Sequence, residues 1–248
     1  MNLDFENRSQ ALLEILRAHG EIRTVTSAEE LGVSQMTIRR DLAELERLGL
    51  VRLVRGGAKP ADARPFSTRN VLFDAEKWVV AKKVARLVPK TGTIAIDSST
   101  TMARLCKILP SGSGLTVVTN SLISFQTLQS LPGVTALLTG GLFDVRSDSL
   151  VGSNCQQFIA GFAFDIYFAS TAAFSPSRGG FESTQEEAAV KAAFVRSSAK
   201  VVVGVNSQKL DDHAPFASFS TSEIDVLCGD QDPSFWAGTG LSPHTETR

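Results

Sequence analysis

The chain has 248 residues, 43% of them hydrophobic and 21% charged, enough apolar mass for one or two packed domains and too much for a disordered chain or a coiled coil. With 25 basic and 26 acidic residues its formal charge is −1, which excludes a general polyanion coat and requires any nucleic-acid contact to come from a local patch. Cys106, Cys155 and Cys228 lack the paired spacings of zinc or redox dithiol sites, so a reducing cytoplasm is expected.

From the N-terminus, Leu12, Leu13, Ile15 and Leu16 predict an amphipathic helix over Asn7 to Ala18. Thr26 with Glu29 and Ser27 with Glu30 each match a capping box, and Gly32 permits a tight bend to a second short helix. Ser34 is a good N-cap for that helix, along which Ile38, Leu42, Leu45 and Leu48 draw one apolar stripe. Met36, Arg40 and Arg47 project from the opposite side, with Thr37 and Arg39 on its flanks. Gly49 ends the helix, and Leu50, Val51, Leu53 and Val54, interrupted by Arg52 and Arg55, read as a strand ahead of a Gly56-Gly57 turn. Residues 1–59 are therefore expected to form a winged helix-turn-helix.

The arginines have a plainer explanation, a solvated helix face on which Asp41, Glu44 and Glu46 pair with them. Local charge favours DNA instead. Between Gln35 and Arg69 stand Arg39, Arg40, Arg47, Arg52, Arg55, Lys59, Arg64 and Arg69, against Asp41, Glu44, Glu46 and Asp62. The expected DNA contacts are Ser34, Gln35, Thr37, Arg39, Arg40 and Arg47 on the helix and Arg52 and Arg55 on the wing. No aromatic residue for base stacking occurs from Ser34 to Ala58, which counts against single-stranded RNA.

Residues 60–74 lack a period and read as a linker. A helix is predicted over Asp74 to Leu87, followed by apolar strands at 93–97, 115–120, 134–140, 164–170, 200–205 and 224–228. Helices are predicted near Thr100 to Leu109, Leu122 to Ser130, Asn154 to Ala160 and Gln185 to Ser198. Strands without in/out alternation fit a sheet covered on both faces, so 75–230 reads as an α/β domain with a mostly parallel sheet, and 231–248 as a loose tail. No apolar run reaches the roughly 20 residues that span a bilayer. Asp4 and Glu6 interrupt any signal-peptide core, and His19, His213 and His244 stand apart, so no membrane, metal or cofactor is expected.

Ligands of open parallel sheets bind outside the carboxyl ends of the strands. There the sequence places Asp97, Ser98, Ser99, Thr100 and Thr101 ahead of a helix, an arrangement of hydroxyls and amides that accepts phosphate, with Asp97 able to accept from a sugar hydroxyl. Asn120 and Ser121 follow the second strand, Gly140 and Gly141 follow the third, and Lys209 supplies a cation. Each element taken singly also serves as an ordinary cap or turn. Neither a P-loop nor a GxGxxG turn is present.

The TIRRDL of Thr37 to Leu42 followed by the RLVRGGA of Arg52 to Ala58 resembles the N-terminal signature of the DeoR family of bacterial transcriptional regulators. The segments DSSTT (97–101), TNS (119–121) and LTGG (138–141), with Gly152, Phe164, Asp165, Glu187, Lys191 and Lys209, look like landmarks of that family's effector domain. The resemblance implies a sensor fold related to ribose-5-phosphate isomerase and CoA transferases, a phosphorylated sugar as effector, and ligand contacts at Asp97 to Thr101, Asn120, Ser121, Gly140, Gly141, Glu187 and Lys209. Arg55 stands where the family usually has His, Asn206 where it has Asp, Gln208 where it has Ser, and Ala169 to Ala173 replace a Gly-rich segment.

The expected function is a repressor of sugar or related carbon-metabolism genes that binds double-stranded operator DNA and is relieved by its effector. A homo-oligomer, dimer or tetramer, would read half-sites about 34 Å apart or a multiple of that. The competing function is a sugar-phosphate isomerase using Asp97, Glu187 and Lys209 for acid/base chemistry, for which a winged helix has no purpose.

Overall fold

Leu12 and Leu16 on one helix and Ile38, Leu42 and Leu45 on another recur at helical spacing, and their burial with Ile22, Leu50, Val51 and Ala58 closes a small N-terminal core. In the computed structural model, which describes residues 3–60, 65–210 and 212–238, the chain forms two compact units, Met1–Arg69 and Asn70–Arg248. Asp62, Arg64, His244 and the end of the expected tail, 239–248, lie outside the described residues.

The first unit runs α1 (Leu3–His19), β1 (Ile22–Arg23), α2 (Thr24–Glu30), α3 (Gln35–Arg47), β2 (Val51–Val54) and β3 (Gly57–Pro60). The three strands form one antiparallel sheet in the order β1-β3-β2. This is a winged helix-turn-helix. The capping boxes expected at Thr26 and Ser27 are not used: α2 starts at Thr24, ahead of both, because β1 leads into it and the Gly56 carbonyl accepts from the Thr24 amide at 2.9 Å. Sheet pairing overrides the local cap signal. Val54 pairs with Gly57, so the wing turns on Arg55 and Gly56 rather than on the two glycines. Gly57 is needed for another reason: a Cβ there would lie 1.7 Å from the Ile22 carbonyl oxygen, inside the β1–β3 pairing.

Part of the stretch expected as a linker is helical, α4 (Phe66–Val71), with Phe66 buried. At six residues it is under two turns, too short to show a period.

The second unit continues with α5 (Asp74–Ala85), β4 (Thr91–Ile96), α6 (Thr100–Lys107), β5 (Gly114–Thr119), α7 (Leu122–Leu128), β6 (Val134–Leu138), β7 (Leu142–Asp144), β8 (Ser149–Val151) and α8 (Ser153–Ala160). Then come β9 (Ile166–Ala169), β10 (Ala173–Ser175), β11 (Gly179–Glu182), α9 (Gln185–Arg196), β12 (Val201–Val205), β13 (Phe216–Phe219), β14 (Val226–Gly229) and α10 (Pro233–Gly238). Six strands form one parallel sheet in the order β14-β12-β9-β4-β5-β6. Successive residues alternate between two cores. Ile94, Ile96, Val117, Phe168 and Val202 pack on one face with Val80, Val84, Met102 and Leu105; Ala95, Val118, Tyr167, Val201 and Val203 pack on the other with Ile159, Val190 and Phe194.

Two small antiparallel sheets were not legible in the sequence: the β7–β8 hairpin and the sheet β10-β11-β13. Their strands are only three or four residues long, which leaves no apolar run long enough to detect. The tail is not loose where it is described, because Trp236 on α10 is 1% exposed and packs over Gly229 in the second core.

Candidate functional site

On α3 the buried side consists of Ile38, Leu42, Leu45 and, unexpectedly, Asp41. Asp41 is 1% exposed and receives Arg8 of α1 in a two-pronged ion pair, Nε to Oδ2 at 2.7 Å and Nη2 to Oδ1 at 3.2 Å. It is therefore not a partner for the surface arginines, the role that the solvated-face explanation required of it. Glu44 does take Arg47, at 2.8 Å from Nε, and this bond with its charge holds the Glu44 carboxyl below the ordinary range. Glu46 instead accepts from the Leu53 amide at 2.7 Å and ties α3 to the wing.

What remains outward is a polar and cationic surface. Gln35, Arg39, Arg40, Arg52 and Arg55 are exposed, and Arg39, Arg40 and Arg55 make no ion pair among the described residues. Met36 stands beside them, 70% exposed. The Ser34 hydroxyl accepts from the Thr37 amide at 3.1 Å, and the two hydroxyls lie 2.9 Å apart, so Ser34 and Thr37 build the start of the helix.

In the second unit, numbering the parallel strands along the chain gives the order 3-2-1-4-5-6, which reverses between β4 and β9. A crevice opens outside the carboxyl ends of strands at such a switch point. Asp97 leaves β4 there and Ser170 leaves β9. Asp97, 1% exposed, accepts from the Ser99 amide at 2.9 Å, from the Ser170 amide at 2.9 Å and from Lys191 of α9. Lys191 also donates to the Ser170 carbonyl at 2.5 Å and lies 3.4 Å from Glu182. Lys209 donates to Ser170 Oγ at 2.5 Å, and that hydroxyl donates to the Gly204 carbonyl. Burial works against the Lys191 ammonium, but Asp97, Glu182 and Glu187 outweigh it and hold its pKa above the ordinary lysine value.

Asp97, Lys191 and Lys209 thus meet on Ser170, and Glu187 sits one turn before Lys191 on α9, its amide capped by Thr184. Ser99 and Ser121 cap α6 and α7, the ordinary alternative for both. Ser98, Thr100 and Thr101 are buried in the same connection. Asn120 follows β5 and donates to the Leu150 carbonyl at 3.1 Å. Gly140 and Gly141 lie after β6, two strands or about 10 Å from β4. Gly141 has φ +130 and a Cβ on it would lie 2.5 Å from the Val151 carbonyl oxygen, so packing against β8 accounts for it; open space is found at Gly140.

Among the buried polar atoms that find no hydrogen-bond partner among the described residues are Thr101 Oγ1, Asn120 Oδ1, Thr171 Oγ1 and Asn206 Oδ1. They follow β4, β5, β9 and β12, the four central strands, at one edge of the sheet. Orphans of this kind are rare in folded proteins and call for water or a ligand. Sequence reasoning chose Asp97 and Asn120 by the rule of strand carboxyl ends; the same rule applied to the last two of these strands finds Ser170, Thr171 and Asn206. Lys191 carries a different signal, its spacing of four from Glu187 on one helix face. Among the described residues no group of His, Cys, Asp or Glu is placed to hold a metal, and no helix is long and apolar enough to cross a membrane.

A winged helix-turn-helix joined to an α/β unit with buried polar and charged side chains at the switch point of its parallel sheet is the make-up of a metabolite-responsive transcriptional regulator. The chain belongs to the DeoR family: residues 8–64 match the DeoR-like helix-turn-helix domain and residues 73–231 the DeoR C terminal sensor domain. It is 29% identical over 240 residues to the glycerol-3-phosphate regulon repressor of Escherichia coli (strain K12), covering 96% of this chain and 95% of that one. To the HTH-type transcriptional regulator GolR of Listeria innocua it is 30% identical over 228 residues, 90% of this chain and 89% of that one. Among solved structures, a ribose 5-phosphate isomerase A from Methanocaldococcus jannaschii aligns at 14% identity with a TM-score of 0.39, over 55% of this chain and 54% of that one.

Proposed function

We propose that this regulator represses genes for a phosphorylated sugar or polyol, and that the compound itself, bound at the switch-point crevice, releases the operator. The observation that carries the reading is the set of four unpartnered polar atoms after four adjacent strands. Two are amide oxygens that accept, two are hydroxyls that donate or accept, and together they match a ligand with several hydroxyl groups. The helix itself gives no partner to the Thr100 and Thr101 amides, so the phosphoryl group goes to the start of α6. Lys209 supplies a cation, and Gly140 leaves room. The relative in Escherichia coli, a glycerol-3-phosphate regulon repressor, supports glycerol 3-phosphate as a first probe.

The operator is read by α3 in the major groove, with Gln35, Thr37, Arg39 and Arg40 toward base edges, Arg47 toward phosphate, and Arg52 and Arg55 of the wing on the backbone. Two modules of a cytoplasmic dimer or tetramer engage half-sites about 34 Å apart or a multiple of that. This reading assigns the crevice no isomerase chemistry, because the Asp97 carboxylate is already engaged by three donors.

The test is a thermal-shift series on the full chain with glycerol 3-phosphate and pentose phosphates. Binding at about 100 times Kd adds about 2.7 kcal/mol of apparent stability. A flat series, or binding that survives Asn120→Leu with Asn206→Leu, would remove the effector assignment; failure to select a specific operator in vitro would remove the DNA half.

A further inference from the structure

Arg104, four residues after Thr100 on α6, has all five of its N–H groups bonded although it is buried. Nη1 donates to the Thr100 carbonyl at 2.6 Å and to Asn70 Oδ1 at 3.1 Å; Nη2 donates to the Asn70 carbonyl at 2.6 Å and to Asp74; Nε donates to Asp74 Oδ1 at 3.0 Å. One side of the fork holds the first turn of α6, whose amides border the crevice. The other side holds Asn70 and Asp74, which bracket the joint between α4 and α5.

That joint is held under constraint. Phe73 has φ 52 and ψ 44, a left-handed conformation that a bulky residue adopts when its surroundings impose it. Lys77, also buried, donates to the Leu72 carbonyl at 2.7 Å, so two buried cations fix two carbonyls of the joint. The joint also begins where the first compact unit ends at Arg69 and the second starts at Asn70. Packing of α5 and α6 on the sheet is supplied by Val80, Val84, Met102 and Leu105, and a buried guanidinium in that setting carries a desolvation cost that apolar residues avoid.

We propose that Arg104 is a positioning residue for regulated DNA binding: it transmits the state of the first turn of α6 to the Asn70–Asp74 joint, through which the chain leaves the sensor for the DNA reader. A planar, rigid fork cannot keep the Thr100 carbonyl and both joint residues bonded when that turn shifts, so the joint must follow. The relay rests on the reading of the crevice as the effector site.

Hydrogen exchange on the full chain tests it without a ligand, reading the peptide that covers 70–77. Ser99→Ala removes the cap of α6, and Thr100→Gly loosens the same turn through the backbone; each raises exchange in α6 about fivefold. With the relay intact, the 70–77 peptide rises with it. In an Arg104→Lys background, which keeps the charge and loses the fork, the peptide starts higher and neither change raises it further. Asp74→Ala, at a carboxylate on the solvent side, serves as the second relay-breaking variant if Arg104→Lys does not fold. A 70–77 peptide unmoved while α6 loosens overturns the relay, as do additive effects in the double variants. In the functional arm, glycerol 3-phosphate is expected to change operator affinity by about tenfold in the parent and by less than twofold in Arg104→Lys, with its own binding retained. An undiminished effect in Arg104→Lys overturns the relay. A parent that binds no phosphorylated polyol counts against the proposed effector class instead, and the exchange result then decides the relay alone.

Discussion

The two units deploy their cations in opposite ways. On α3 and the wing, Arg39, Arg40 and Arg55 stand in water without ion pairs among the described residues, and Arg47 is held by a solvent-exposed Glu44. In the sensor, Lys191, Lys209 and Arg104 are buried and bonded to named carboxylates, hydroxyls and carbonyls. A surface that exchanges counterions for DNA phosphates keeps its charges solvated, so neutralising them costs little stability and much affinity. A crevice that recognises one small molecule is organised before the ligand arrives, so the same kind of change there is paid in stability.

The strongest way to break this contrast is Asp97→Ala. It removes three accepted hydrogen bonds and strips a buried lysine of the carboxylate to which it donates, and a loss of about 3–5 kcal/mol in the sensor's denaturant unfolding is expected. A loss below about 1 kcal/mol would mean that Glu182 and Glu187 carry Lys191 by themselves. Next in size, Gly57→Ala forces a Cβ onto the Ile22 carbonyl and should cost about 1–3 kcal/mol, confined to the first unit. Operator binding is lost while the sensor transition stays in place; a shift of both transitions together contradicts independent units.

Alkaline pH separates the units further. Burial pushes the Cys106 thiol from 9.0 up to about 12 and raises Tyr167 well above 10, while the Asp97 and Glu182 charges raise Lys191 above 10.5. In each case the unfolded chain releases a proton that the folded sensor keeps, so stability is intact below pH 9 and falls as pH rises beyond it, by roughly 1 kcal/mol per unit from Cys106 first. Calorimetry between pH 7 and 11 checks the sign. Cys106→Ser, which removes that thiol, should flatten the first part of the decline, and an unchanged slope would assign it elsewhere.

The order in which these effects can be foreseen follows how locally each is encoded. The wing and α3 were legible because caps, stripes and turns are written within a few residues of one another. The parallel strands were legible as apolar runs, and with them the loop at Asp97 to Thr101. Arg8 on Asp41, Lys191 on Asp97 and Arg104 on Asn70 were not, since each pair joins residues at least 30 positions apart and depends on packing that no local period records. The failed capping boxes at Thr26 and Ser27 are the converse case, a local signal overruled by a strand pairing made through Gly56.

The smallest effect on stability is also the one that decides the first unit's role. Arg39→Ala removes an exposed guanidinium that makes no ion pair among the described residues, so unfolding should change by less than about 0.5 kcal/mol. Operator binding should nevertheless weaken, and its salt dependence tells how. If Arg39 meets a phosphate, the slope of log K against log salt falls by about 0.9 and all sequences weaken alike. If it meets a base edge, the slope holds, the loss is about 1–3 kcal/mol and falls on one operator position. A variant that keeps full operator affinity at every salt concentration would place the reading surface elsewhere, and one that destabilises the unit by more than 1 kcal/mol would remove the distinction between solvated and buried cations from which the prediction comes.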